Sequence, residues 1–195
     1  MKTVEYTDKE LVESYLNGNN TSFELLINRH RTRIFSYIMM LVKDKQLADD
    51  VFQDTFIKII KTFKNGAYKE EGKFIQWAMR IAHNLIIDHF RKAKRIPYTD
   101  VQNDLYDFLE NIGLSDPTVE QQMITEQIHE DLRKMIALLP DEQREVLYLR
   151  LYAEMSFKDI AELTNVSINT ALGRMRYALI NMRKMIAEKN LVLTM

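Results

Sequence analysis

Apolar side chains recur at intervals of three and four residues along almost the whole chain, and this spacing restricts what the chain can fold into. The strongest such stripe runs from Leu47 to Phe63. No stretch alternates between apolar and polar residues as a half-buried strand would, and the 195 residues include only 5 glycines and 3 prolines. Spacings of three and four place apolar residues on one face of a helix. The sequence therefore predicts an all-α fold.

Start and stop signals divide this pattern into separate helices. Thr7 and Glu10 have the spacing of a capping box ahead of a short first helix that ends near Gly18, and Asp44 can cap the third helix. In the N-terminal half we expect helices at residues 20–43 and 45–63, a loop at 64–73 and a fourth helix from residue 74. In the C-terminal half we expect helices at residues 117–138, 141–152, 156–163 and 168–189.

Charge is distributed in three blocks, although the net charge is only −1. Residues 1–95 hold 17 Lys and Arg against 12 Asp and Glu, residues 96–132 hold 9 acidic residues and no basic ones, and residues 133–195 hold 10 basic and 7 acidic residues. We therefore expect two small helical domains, 1–96 and 117–195, joined by an acidic linker at 97–116. Mildly basic ends suit a polyanionic partner, but charge alone favours ordinary solvated surface.

Several function classes have no support in the sequence. There is no cysteine, and the longest nearly apolar segment, Ile34 to Val42, is much shorter than the roughly 20 residues that cross a bilayer. The four histidines form no metal-ligand pattern, and no phosphate loop or catalytic set is present. We therefore expect a cytoplasmic protein with no membrane insertion, no metal, no cofactor and no enzymatic activity.

The C-terminal pattern predicts a helix-turn-helix. A short helix, a turn at residues 164–167 and a longer basic helix follow one another, and Asn165 stands where the turn needs a left-handed backbone. Ala161 is small where the two helices would cross. On the last helix we expect Ile168, Ala171, Met175, Leu179 and Met182 to face inward and Asn169, Thr170, Gly173, Arg174 and Tyr177 to face outward. Such a helix can read duplex DNA, although a hairpin packed only for stability remains an alternative.

Two further surfaces stand out in the N-terminal half. On the third helix, acidic and amide side chains lie opposite the apolar stripe, which suits a basic protein partner better than a metal. An ordinary solvated surface explains these side chains as well. Near the fourth helix, basic residues are interleaved with aromatic ones, a combination typical of single-stranded nucleic-acid binding. Part of this aromatic content can instead belong to the core, and we expect the inner face of the fourth helix to comprise Phe74, Trp77, Ala78, Ile81, Ala82 and Leu85.

Several segments, taken in order, resemble one known family. They read FELLINRH, ADDVFQDTF, FIQWAMRIAHNLIIDHFRK and, after the acidic linker, LPDEQREVLYLRLYAEMSFKDIAELTNVSINTALGRMR. The chain from about Thr21 to Lys184 resembles a bacterial RNA polymerase sigma factor of the extracytoplasmic-function (ECF) class. The resemblance implies a sigma domain 2 and a sigma domain 4, which bind core RNA polymerase and promoter DNA. It also implies an anti-sigma factor as an inhibitory partner.

The resemblance assigns roles to the surfaces described above. The surface that docks on a coiled coil of the largest polymerase subunit would comprise Asp49, Asp50, Gln53 and Asp54. The promoter element nearest the start site would be melted and held, with a flipped base in the loop at 65–73. The residues that hold it would be Asn65, Tyr68, Lys73, Trp77, Asn84, Asp88, Arg91, Lys92 and Arg95. The upstream promoter element would be read as duplex by Ser167, Asn169, Thr170, Arg174, Arg176 and Tyr177. The family often has a Lys and an Arg where this chain has Leu172 and Tyr177, so we expect fewer contacts to the DNA backbone there.

Two other functions are compatible with the residues alone. A free-standing helix-turn-helix regulator would bind an inverted-repeat duplex without polymerase. A helical adaptor would use its acidic face and apolar grooves for protein partners and bind no DNA. The acidic linker also suggests that the free protein folds back and masks its basic ends.

Overall fold

The computed structural model describes residues 6–69, 71–93 and 131–188, and every regular element among them is a helix. The chain divides into an N-terminal and a C-terminal compact unit. The N-terminal helices are α1 (Asp8–Leu16), α2 (Asn20–Val42), α3 (Lys45–Lys64) and α4 (Phe74–Ala93). The C-terminal helices are α5 (described over residues 131–137), α6 (Asp141–Leu151), α7 (Phe157–Leu163) and α8 (Ile168–Glu188).

These bounds confirm the predicted all-α class and the helix positions to within a few residues. The predicted acidic linker at 97–116 and most of the predicted helix at 117–138 lie outside the described residues. The domain limits 1–96 and 117–195 therefore stay a prediction.

Side-chain caps fix where the N-terminal helices begin. The Thr7 hydroxyl accepts the backbone N–H of Glu10 at 3.3 Å, and the Glu10 carboxylate accepts the backbone N–H of Thr7 at 2.7 Å. Asp44 accepts the backbone N–H of Leu47 at 2.8 Å. Each cap satisfies amide groups that have no partner inside the helix. The predicted capping box and the predicted Asp44 cap are therefore confirmed.

The N-terminal core forms around α2, which contacts α1, α3 and α4. Tyr37 is fully buried there, and its hydroxyl lies 2.8 Å from Nδ1 of the buried His83. A buried polar group without such a partner would cost free energy. The other large, fully buried side chains of this core are Leu26, Ile34, Ile38, Ile59, Phe74, Met79 and Ile86.

The buried face of α4 differs from the predicted one. Ile75, Met79 and Ile86 are buried, whereas Trp77 and Leu85 are only partly covered. Because α4 contacts both α2 and α3, its covered face is wider than a single stripe, and Trp77 lies at its edge. Trp77 and Leu85, predicted for the inner face, are therefore only half-buried, and the prediction omitted the buried Ile75, Met79 and Ile86.

The C-terminal unit packs α8 against α6 and α7. Leu139, Leu147 and Ala178 form a buried cluster that Met175 and Met182 partly cover. The guanidinium of the buried Arg144 donates to the carbonyl of Ala137 at 2.8 Å, so it ties α6 to the C-terminal end of α5. Val146, Leu147, Tyr148 and Leu149 are consecutive and all buried.

Candidate functional site

The acidic surface of α3 lies where the sequence places it. Asp49, Asp50, Gln53 and Asp54 are all exposed, on the side of the helix opposite its buried residues. The buried residues of α3 are Ala48, Val51, Thr55, Phe56, Ile59 and Phe63. The three carboxylates therefore present negative charge to any partner that approaches α3 from outside.

An apolar groove between α2 and α3 adjoins this acidic surface. Gln53 belongs to both, and Ile57 in the groove is 48% exposed. The groove is lined by Ile27, Asn28, Arg31, Phe52, Gln53, Phe56, Ile57 and Ile60. The position of this groove was not predicted from the sequence, although Ile57, an isoleucine outside the predicted apolar stripe, was a usable signal.

Aromatic rings gather where α3, the following loop and α4 meet. Phe63 is buried and stacks on Trp77 with ring centroids 5.6 Å apart, and Tyr68 from the loop lies 4.4 Å from Trp77. Trp77 and Tyr68 are both partly exposed. The structure therefore brings together two of the aromatic residues predicted to hold single-stranded DNA.

The remaining predicted contacts to the proximal element surround these rings or line the outer face of α4. Asp88 and Arg91 form an exposed ion pair at 3.4 Å, which contributes little to stability. Their side chains are free to exchange this contact for a ligand. The residues Asn65, Lys73, Asn84 and Lys92 are also exposed, whereas Arg95 lies outside the described residues.

The helix-turn-helix has the predicted geometry. Ser156 caps α7 by accepting the backbone N–H of Asp159 at 3.1 Å, and Asn165 in the turn has φ +54°. Ser167 accepts the backbone N–H of Thr170 at 3.0 Å, so α8 begins with a capped turn. Ala161 is buried, as its predicted position at the helix crossing requires.

The faces of α8 are only partly as predicted. Ala171 is buried and Met175 and Met182 are half-buried, but Ile168 is 47% and Leu179 is 39% exposed. The small Ala171 and Ala178 form the centre of the contact, which turns Ile168 and Leu179 toward its edge. The expectation that those two residues face inward was wrong.

The two arginines predicted to contact DNA lie on different sides of α8. Helical spacing puts Arg174 in one row with Thr170 and Tyr177. Arg176 instead lines an apolar groove with Leu172 and neighbouring side chains. The groove is lined by Phe157, Leu172, Met175, Arg176, Leu179, Ile180 and Arg183. Asn169, Thr170 and Tyr177 are exposed, as predicted, whereas Gly173 and Arg174 are only partly exposed and Arg176 is exposed.

The described residues contain no group of three or more acidic, histidine or cysteine side chains that could hold a metal ion. Within the same residues, no helix is both long and apolar enough to cross a membrane.

Known proteins resemble this chain along most of its length. The family model for sigma-70 region 2 matches residues 26–96, and the model for sigma-70 region 4 matches residues 129–176. The RNA polymerase sigma-H factor of Pseudomonas aeruginosa is 31% identical over 86% of this chain and 87% of its own length. This chain belongs to the ECF class of bacterial RNA polymerase sigma factors.

Further relatives and solved structures are also similar to this sigma factor. The ECF RNA polymerase sigma-E factor of Haemophilus influenzae is 27% identical over 94% of this chain and 95% of its own length. The structure of CnrH with the cytosolic domain of CnrY aligns with a TM-score of 0.56 and 19% identity over 93% of this chain and 97% of that chain. The sigma factor RpoE of Bartonella quintana, in complex with the anti-sigma factor NepR, aligns with a TM-score of 0.54 and 16% identity over 85% of this chain and 96% of that chain. These structural alignments show the shared fold.

A sigma factor binds core RNA polymerase and directs it to promoters, so the regulator and adaptor alternatives are set aside. The region 2 match includes the acidic surface, the ring cluster and α4, and the region 4 match ends at Arg176. Helix α1 lies outside both matches. The sequence did not predict a role for two residues of these surfaces: Phe63, which contacts five other rings, and Ile57, which lines the α2–α3 groove.

Proposed function

We propose that this sigma factor divides its function among three surfaces: one binds polymerase, one holds the melted strand and one reads duplex DNA. The observation that carries this proposal is the separation of an exposed acidic surface on α3 from a cluster of half-buried rings and exposed cations around α4. We propose no catalytic residue in this chain, because binding alone accounts for its role.

Core polymerase binds to the acidic surface of α3 and to the adjoining α2–α3 groove. An interface typically combines an apolar centre with a polar rim. The groove with the exposed Ile57 supplies the apolar centre, and the polar rim consists of Asp50, Gln53 and Asp54. Three exposed carboxylates favour a basic partner surface and speed the encounter with it.

The melted promoter strand binds to Tyr68 and Trp77. Partly exposed rings offer faces on which unpaired bases stack, at about 1–3 kcal/mol per base. The exposed Lys73, Arg91 and Lys92 supply positive charge for the strand's phosphates. Extracting a base from the duplex costs a few kcal/mol, which stacking and hydrogen bonds in the loop at 65–73 offset.

The upstream element binds to α8 through its N-terminal turn and the row containing Thr170, Arg174 and Tyr177. Short polar side chains at a helix start bring backbone amides close to phosphates and base edges. Leu172 and Arg176 lie on the neighbouring groove side. We therefore assign Arg174 a larger share of DNA binding than Arg176.

The protein works in the cytoplasm, and an anti-sigma factor inhibits it. Both structural neighbours were determined as complexes, one with an anti-sigma factor and one with a cytosolic domain. A purified candidate inhibitor should compete with core polymerase for this chain. Undiminished polymerase binding in its presence would contradict the inhibitory role of that candidate.

Transcription in vitro tests the proposal as a whole. Purified core polymerase and this protein are incubated with a library of promoter fragments, and the transcripts are sequenced. We expect transcripts from a subset of fragments that share two upstream sequence blocks, and none of these from core polymerase alone. Identical transcripts with and without the protein would overturn the proposal, and tight binding to an inverted repeat without polymerase would favour a free-standing regulator.

A further inference from the structure

We propose that α1 positions the rings that hold the melted strand, and that Tyr15 is the residue through which it does so. The inference deepens the proposed function, because it rests on the role of Trp77 and Tyr68 in strand binding. Tyr15 is a positioning residue in this account, since it acts through Phe63.

Helix α1 is attached firmly to α2. The Asp8 carboxylate accepts hydrogen bonds from Arg29 at 2.7 Å and from His30 at 2.6 Å, and the Ser22 hydroxyl donates to the Ser14 hydroxyl at 2.8 Å. Burial alone would raise the pKa of Asp8, but the hydrogen bonds and charges of His30 and Arg29 outweigh it and lower the pKa below its usual value. The carboxylate is therefore charged at neutral pH and keeps its hydrogen bonds to Arg29 and His30, which connect α1 to α2.

A continuous series of ring contacts leads from α1 to the strand-binding residues. Tyr15 stacks on Phe23 at 4.6 Å and lies 5.6 Å from Phe63. Phe63 stacks on Trp77 at 5.6 Å with an angle of 20° between the rings. Trp77 lies 4.4 Å from Tyr68. Phe63 therefore joins a ring on α1 to both rings that we assign to the melted strand.

Close packing lets each ring of this series fix the orientation of the next one. Interiors are packed like organic crystals, so a ring keeps its orientation only while its neighbours fill the space around it. Removing the Tyr15 ring leaves space beside Phe63, into which Phe63 can tilt. Trp77 then loses its fixed orientation, and a strand that needs preorganised rings binds less tightly.

The chain contains one tryptophan, and it lies in this series, so its fluorescence reports directly on the proposed effect. The emission maximum and acrylamide quenching of Trp77 are measured in the free full-length protein. Binding of the polymerase holoenzyme to a labelled single-stranded promoter oligonucleotide is measured in parallel. For Tyr15→Ala we expect red-shifted emission, stronger quenching and oligonucleotide affinity weaker by about fivefold or more, with unchanged affinity for core polymerase.

Two variants separate positioning from general destabilisation. Tyr15→Phe keeps the ring and should match the wild type in both measurements. Val12→Ala shortens a fully buried α1 side chain outside the ring series, so it should lower thermal stability and leave both measurements unchanged.

The inference is overturned if Tyr15→Ala leaves Trp77 emission or oligonucleotide affinity at the wild-type value, or if Val12→Ala reproduces both effects. A wild-type holoenzyme that binds no oligonucleotide would instead refute the proposed function. In that case Trp77 fluorescence alone decides whether Tyr15 orients the ring cluster.

Discussion

Replacing the buried Phe63 by alanine should lower the free energy of unfolding of the N-terminal unit far more than any single substitution at its surface does. Phe63 is 3% exposed and lies within ring-contact distance of five aromatic side chains. Removing a buried phenylalanine costs about 3–5 kcal/mol, from lost burial and from the cavity that remains. Each aromatic pair contributes about 0.5–1.5 kcal/mol beyond its buried area, so we expect a loss near the upper end.

A loss of this size is large compared with the stability of a small domain, which is about 5–15 kcal/mol. For a domain of this length each kcal/mol lowers the melting temperature by about 4–8 °C, so we expect a drop of more than about 15 °C. Urea unfolding followed by Trp77 fluorescence measures the N-terminal unit specifically, because the chain has no other tryptophan.

Ile57→Ala provides the matched control for Phe63→Ala. Ile57 lies on the same helix and is 48% exposed, so its truncation should change the free energy of unfolding by less than about 0.5 kcal/mol. A cost below about 1 kcal/mol for Phe63→Ala, within twofold of the control, would refute the reasoning, because the hub of the ring cluster would then be dispensable.

Three further predictions follow from individual contacts. The Asp8→Asn variant should lose about 1–2 kcal/mol at pH 7. The native pKa of Asp8 is lowered, so its contribution to stability is present above the unfolded pKa and is lost as the pH falls through the native pKa. The unfolding free energies of the two proteins should therefore converge in acid; a difference that persists there would contradict this. Arg144→Ala should destabilise the C-terminal unit by about 2–3 kcal/mol in hydrogen-exchange measurements, because it removes the charged donor to Ala137; protection of α6 equal to the wild type would contradict this. Arg174→Ala should lower holoenzyme affinity for promoter duplex about tenfold and reduce the salt slope by about one, whereas Arg176→Ala should have a smaller effect in the same titration; the reverse order would refute our assignment of the α8 faces.

Local signals made much of the fold predictable. Helix starts depend on a cap and the residues just after it, so the identities of Thr7 and Asp44 were enough to predict where two helices begin. The left-handed conformation of Asn165 was predictable for the same reason, since the turn length fixes which residue must adopt it. The acidic surface of α3 followed from helical periodicity alone, because Asp50, Gln53 and Asp54 repeat at helical spacing opposite the apolar stripe.

Contacts between distant residues were not predictable from these signals. Periodicity shows that a helix has a covered face, but the width and centre of that face depend on its neighbours, as Trp77 and Leu179 illustrate. The pairing of Asp8 with His30 and the role of Phe63 as a hub connect residues on different helices. No spacing within a single helix contains that information.

The most direct test of our account is the affinity of this sigma factor for core RNA polymerase when the acidic surface of α3 is reversed in charge. Asp50→Lys and Asp54→Lys change exposed side chains, so both variants should keep the wild-type melting temperature. We predict that wild type and the exposed control Glu24→Lys bind core polymerase equally, and that each α3 variant binds at least about tenfold more weakly. Wild-type affinity in both α3 variants would contradict the account.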